Sequence, residues 1–338
     1  MRSWLPLLML LALGACSTTP PVESGAGATR TDSQPAVSPS NDAVTDSVAE
    51  TIADAGTDGL EDAAPGRDLV KPALKKPTAP VTRLCTEIGG KLSSVSVNDC
   101  LRQQLQHSAV SVLSRSLAYK DFAPQDGVRS QGRVLLIGGI HGDEFSSVSV
   151  VFKWMDILSQ QQPWPLQLRV IPLANPDGLL RSKSQRQNEN GVDLNRNFPT
   201  VDWASNARNH WVESTASNTR RYPGESSASE PETRWLVDQI NEFNPDVIIS
   251  LHAPHHLVDY DGPPSAPQQV GKLSLRQLGV YPGSLGNYAG HDLQLPIVTL
   301  ELQSAGIMPA TAEIQHMLVD LRQWLQVQLT QQAKIEPR

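Results

Sequence analysis

The chain has 338 residues and carries 28 Lys and Arg against 35 Asp and Glu, a formal net charge of −7. That balance gives no global basic field, and with 5% aromatic residues there are few surfaces on which bases can stack, so nucleic acid is excluded as a partner. The length allows one large domain or two small ones, and the uneven composition along the chain decides between them.

Arg2 followed by the apolar run Leu5 to Leu13 reads as an export signal, because the run is too short to span a bilayer as a helix. Leu13-Gly14-Ala15-Cys16 resembles a bacterial lipoprotein cleavage box. It implies a signal peptide over residues 1–15 and a lipidated Cys16; the alternative is an ordinary signal in which Cys16 is incidental. Ser17, where an acidic residue would mark inner-membrane retention, resembles an outer-membrane address. The expectation is therefore an exported protein, lipid-anchored on the periplasmic face of the outer membrane of a Gram-negative bacterium. Residues 16–80 are rich in Ser, Thr, Ala, Pro, Gly and Asp and poor in large apolar side chains, so they read as a disordered tether.

The folded domain is expected over 81–338, with 81–131 a possible N-terminal cap. In an oxidising compartment Cys85 and Cys100 are candidates for a disulfide, or else two separate buried thiols. Further along, Arg133–Ile140 reads as a buried strand, Phe145–Leu158 as a helix and Leu166–Leu173 as a second strand. Glu232–Phe243 follows as a helix, Asp246–Leu251 and Pro296–Leu302 as strands, and Ala310–Leu329 as a closing helix. Strands alternating with helices predict a single α/β domain with a central mixed, mainly parallel twisted sheet flanked by helices.

The chemistry-bearing residues fall at the carboxyl ends of these strands, where open α/β sheets collect their ligands. His141-Gly-Asp-Glu144 follows the first strand with an H-x-x-E spacing that can bring an imidazole and a carboxylate to one ion. His252 ends the strand Ile248-Ile-Ser-Leu-His252 and offers the third donor of a His2Glu set, an arrangement common at catalytic zinc. Glu301 sits in a nearly all-apolar strand, where a carboxylate needs a partner or a task. His255 and His256, just beyond His252, are rival ligands read as rim residues.

With Asn175-Pro-Asp-Gly178, Gly191-Val-Asp-Leu-Asn-Arg-Asn-Phe-Pro199, Ser229-Glu-Pro-Glu-Thr233, Ser250-Leu-His252 and Val298-Thr-Leu-Glu-Leu302, the chain resembles the zinc carboxypeptidase family typified by carboxypeptidase A, and within it the bacterial murein peptide amidases. The resemblance spans roughly residues 133–305 and implies one zinc ion held by His141, Glu144 and His252, with Glu301 as general base. It further implies that Arg196, assisted by Asn195, clamps a substrate carboxylate, that Arg186 stabilises the oxyanion and that Asp193 orients His141. Each arginine has the alternative of a solvated loop ion pair. Tyr281 corresponds to the family's substrate-capping tyrosine, or is a structural loop residue.

Asp143 and Pro254 stand where digestive members carry arginine and tyrosine, and both resemble the amidase subgroup. The implied activity is cleavage of γ-D-glutamyl-meso-diaminopimelate in murein peptides. A general periplasmic metallocarboxypeptidase and a tethered murein-peptide-binding protein without catalysis are the alternatives.

Overall fold

The structure, a computed structural model, describes residues 78–335 apart from 125–127, 162–163 and 264, with side chains to residue 330. The chain divides at Leu69/Val70 into two units, and every described residue falls in the second. The signal peptide, the lipidation site Cys16 and the tether up to residue 77 lie outside the described residues.

The centre of the domain is made by the apolar runs. Strands β3 (Arg133–Ile137), β4 (Gln167–Ile171), β5 (Val247–His252) and β9 (Ile297–Glu301) are parallel neighbours in the order β4-β3-β5-β9. Antiparallel strands complete a seven-stranded sheet: β1 (Gln106–Val110) and β2 (Ser116–Phe122) beyond β4, and β6 (Leu257–Asp261) beyond β9. A continuous apolar strand makes sense only if both its faces are covered. Val134 and Leu136 of β3 enter one core, with α3 (Phe145–Gln160) and α7 (Thr311–Ile335), while Leu135 and Ile137 enter the other, with α6 (Pro231–Phe243). The indole Nε1 of fully buried Trp154 donates to Ile314 O at 2.8 Å and ties α3 to α7.

Residues 81–131 do not stand apart as a cap. β2 pairs with β4 through Lys120–Phe122, so this segment extends the main sheet, and Val81, Leu84 and Ile88 of α1 (Ala79–Lys91) are buried in the α3/α7 core. A disulfide between Cys85 of α1 and Cys100 of α2 (Val97–Arg102), with Cα atoms 5.4 Å apart, staples the two helices. The segments read as helix and strand from periodicity all form, with ends shifted by a few residues.

The chain leaves β3 through α3 to β4 on one side and later enters β5 on the other. The strand order thus reverses between β3 and β5, and the crevice of an open α/β sheet lies at such a switch point. His141 follows β3 and His252 is the last residue of β5.

Candidate active site

Two short motifs interlock to place His141 and Glu144. A Cβ at Gly142 would sit 2.2 Å from the carbonyl carbon of Gly178, so the His141-to-Glu144 turn passes backbone-on-backbone against α4 (Pro176–Leu180), an approach open only to glycine. Asn175 caps α4 by accepting from Gly178 N at 2.8 Å, and its amide donates to Ile140 O and Arg186 O, both at 3.2 Å. The turn, the helix start and the Arg186 loop are thereby fixed as one unit.

The three expected donors converge. His141 Nδ1 lies 2.8 Å from Glu144 Oε1, His252 Nδ1 lies 3.1 Å from Glu144 Oε2, and the two Nδ1 atoms are 3.0 Å apart. All three residues are buried, and one ligand atom from each lies within 4.8 Å of the others. Two imidazole lone pairs and a carboxylate facing one another repel unless a cation sits among them, so this donor set fits zinc. The far nitrogen of each imidazole faces a polar neighbour, which leaves Nδ1 turned to the cluster. His252 Nε2 meets Ser250 Oγ at 3.0 Å. His141 Nε2 lies 3.2 Å from Asp193 Oδ1, outside hydrogen-bond alignment, so Asp193 holds that ring by its charge.

Asp193 is fully buried and answers three neighbours. It accepts from Arg186 Nε at 2.8 Å and from Asn195 N at 3.1 Å, besides facing His141. Burial pushes its carboxyl up, but Arg186, His141 and Arg196 outweigh burial and hold it well below the usual carboxylate range.

Around this centre stand the remaining expected residues. Glu301 is buried on β9 in register with His252 on β5, and its Oε2 accepts from His255 N at 3.4 Å. Arg186 Nη1 lies 3.2 Å from His141 Nδ1 and 3.7 Å from Glu144 Oε1. Arg196 is 6% exposed and forms no ion pair within 4 Å among the described residues, and its Nε has no hydrogen-bond partner. Its guanidinium lies 4.4 Å from the centre of the Tyr281 ring, which His210 contacts from elsewhere at 5.5 Å. Burial pushes the Arg196 guanidinium down to about 10, with Arg186 and Arg221 adding to the shift and Asp193 opposing it. Asn195 accepts from Leu285 N at 2.8 Å. His255 and His256 are exposed and stand outside the donor cluster.

Residues 104–274 match the zinc carboxypeptidase family, a stretch that includes all three donors. The chain belongs to the zinc carboxypeptidase family. As a member it is a hydrolytic enzyme, and zinc is its cofactor. Murein peptide amidase A of Escherichia coli strain K12 is 29% identical to this zinc carboxypeptidase over 226 residues, 65% of this chain and 89% of the relative. Murein peptide amidase A of Vibrio campbellii is 32% identical over 199 residues, covering 57% and 76%. Among solved structures, thrombin activatable fibrinolysis inhibitor is similar in fold, with a TM-score of 0.50 at 17% identity, over 74% of this chain and 72% of that one.

Several contributors to this zinc carboxypeptidase site carry no role that the sequence alone shows. Ser250 stands out in the sequence only as the start of a motif, although it lies two residues before His252 on the same face of β5. Asn197 organises the loop ahead of α6: its amide donates to Pro223 O at 2.8 Å and Ser226 O at 2.9 Å, and its Oδ1 accepts from Glu230 N at 3.2 Å. Asn188 joins the same region by donating to Glu230 Oε2 at 2.7 Å and Glu232 Oε2 at 3.0 Å. The signal for this scaffold was the density of Asn and Glu in the quoted motifs, too many buried-site polar groups for ligation alone.

Proposed function

We propose that this zinc carboxypeptidase hydrolyses an amide in murein peptides, the bond between γ-D-glutamate and meso-diaminopimelate, releasing the diamino acid or a peptide beginning with it. The observation that carries the hydrolytic reading is the register of His252 with Glu301 on adjacent strands, which sets a buried carboxylate beside the donor cluster. The murein assignment is supported by the two relatives named murein peptide amidase A and by Asp143 at the position where digestive members carry arginine.

The residues divide the work by chemistry. His141, Glu144 and His252 would hold the zinc, which would supply Lewis-acid chemistry at the scissile carbonyl and at water. Glu301 takes the proton of the attacking water and returns it to the leaving amine. Arg186, held through Nε by Asp193, turns its remaining donors to the charge that develops on the carbonyl oxygen. Arg196 is a buried cation with no carboxylate paired to it among the described residues, so the terminal carboxylate of the substrate completes it, with Asn195 assisting and Tyr281 covering the guanidinium face.

The proposal extends to location. Cys16 carries the lipid anchor, and residues 16–80 tether the enzyme to the periplasmic face of the outer membrane, a reading supported by the sequence of residues 1–17. Among the described residues no helix is long and apolar enough to cross a membrane.

The test is to incubate the purified 338-residue chain and zinc with the tripeptide L-Ala-γ-D-Glu-meso-diaminopimelate and with a panel of α-linked peptides. Release of diaminopimelate from the tripeptide is the expected result. An untouched tripeptide alongside trimming of ordinary C-terminal residues identifies a general metallocarboxypeptidase, and tripeptide binding without cleavage of anything identifies a binding protein.

A further inference from the structure

The charged groups of the site form an ordered row. Arg196 lies within electrostatic reach of Asp193, Asp193 pairs with Arg186 at 2.8 Å, and Arg186 reaches His141 and Glu144. Between those two metal donors in the chain stands Asp143, and its Oδ2 accepts from Arg220 Nη1 at 2.6 Å. Followed from partner to partner, with Asp143 joined to Glu144 by the chain itself, Arg196 and Arg220 are the terminal members and His141 and Glu144 lie between them. The short 3-10 helix Thr219–Arg221 serves both: Arg221 acts by its charge on Arg196 and His210, and Arg220 meets Asp143.

We infer that Arg220 is a specificity-determining residue that binds a free carboxylate on the acyl half of the substrate, with Asp143 as its positioning residue. The inference rests on the murein peptide amidase reading. With Arg196 engaged by the carboxylate of the leaving half, a peptide crossing the donor cluster brings its acyl half to Asp143 and Arg220. In the murein tripeptide that half is a γ-linked glutamate, which keeps its α-carboxylate free and needs a cation there. Arg186 is held by Asp193 and Glu144 and is given over to the carbonyl oxygen, whereas Arg220 has the single partner Asp143 and donors to spare.

Two features of the Asp143–Arg220 pair suit recognition better than stability. The Arg220 side chain is 53% exposed, and an ion pair so open to water contributes little to folding. The contact is also single-pronged: one nitrogen of the fork meets one oxygen, and the other N–H groups of the guanidinium have no partner among the described residues. A planar fork with spare donors can take a second carboxylate alongside the first, which a lysine ammonium does less well. The other oxygen of Asp143, Oδ1, is buried without a hydrogen-bond partner, so the backbone has not claimed this carboxylate for a turn or cap.

The experiment compares two substrates, the murein tripeptide and the same peptide with the glutamyl α-carboxylate converted to a carboxamide. Both are measured on the zinc-loaded wild type, Arg220→Gln and Arg220→Lys. Wild type is expected to favour the carboxylate form by roughly tenfold or more in kcat/KM, mostly through KM. Arg220→Gln is expected to bring that ratio to within about twofold, and Arg220→Lys to restore part of it. A ratio unchanged in Arg220→Gln, whether both rates fall together or neither moves, overturns the inference, because a merely structural role lowers both substrates alike. Equal turnover of the two substrates by wild type overturns the inference and leaves the amidase reading standing. If wild type cleaves neither peptide, the amidase reading falls and the inference falls with it.

Discussion

At the scale of single residues, the site is a set of buried charges each answered by a neighbour, with two exceptions that carry the chemistry. Arg196 has no ion-pair partner within 4 Å among the described residues, and Glu301 is held by little more than His255 N at 3.4 Å. Replacing Glu301 by glutamine keeps the shape and removes the base, so Glu301→Gln should lower kcat by about 10³-fold while zinc content, read by metal analysis on the same sample, stays at the wild-type level. A variant that turns over normally removes Glu301 from the mechanism. Away from the site, Asp261 on β6 offers a pH test. Burial, and then the charge of Asp259, push its carboxyl up to about 6 from 3.8, with His291 at 3.7 Å opposing. A carboxyl raised on folding keeps its proton more tightly in the native state. The stability this confers is complete below about 4 and is lost as pH rises through about 6. Asp261→Asn should therefore raise the melting temperature at pH 8, by an amount on the order of 1–3 kcal/mol in stability, and change it little at pH 4.5. Calorimetry at the two pH values checks the sign, and an equal change at both contradicts the assignment.

At the scale of elements, what could be read beforehand followed burial. β3, β5 and β9 announce themselves because both of their faces are covered and the sequence becomes a run of Val, Ile and Leu. α6 is amphipathic, starts with Pro231 in its first turn and buries Trp235, Leu236, Ile240 and Phe243 on one face. The elements that escaped notice carry weaker patterns. β1 is an edge strand with four of its five residues exposed, and α5 (Trp203–Thr215) buries only Ala207, so neither shows a contrast between faces. β6 hides Asp259 among apolar neighbours at the far edge of the parallel strands, where alternation is broken by burial of nearly every residue. Cys85 and Cys100 were legible as a possible pair but not as a link between two particular helices, since a helix as short as α2 leaves little periodic trace. Closing a loop of this size is worth about 3 kcal/mol in a chain-entropy account. The Cys85→Ser/Cys100→Ser variant should lose about that much stability in denaturant unfolding, with zinc content kept, because α1 and α2 pack on the α3/α7 core and not on the donors. Unchanged stability would show that the helices hold together without the bond.

At the scale of the whole molecule, the fold makes neighbours of residues 111 positions apart in the chain. The strand order turns at β3 and β5, so the residues just past their ends share one crevice, and the spacing within each motif then sets which atoms meet. The donor identities were visible in the sequence because they recur as motif letters in a fixed order. The anchoring of the imidazoles by Ser250 and Asp193, the backbone contact of Gly142 with Gly178, and the stacking of Tyr281 on Arg196 were not, since they depend on how separate loops fold back on one another. Residues 81–131 show the same limit: nothing local says that β2 will pair with β4 and extend the sheet. The most direct test of the account is zinc content per chain in wild type and in His141→Ala, Glu144→Gln and His252→Ala, measured after equilibration against a competing chelator. One zinc per wild-type chain is expected, with strong loss in each variant, including the one altered at residue 252, far along the chain from the other two. Zinc retained at wild-type level in His252→Ala, or no zinc in the wild type, would contradict a single ion gathered from both stretches.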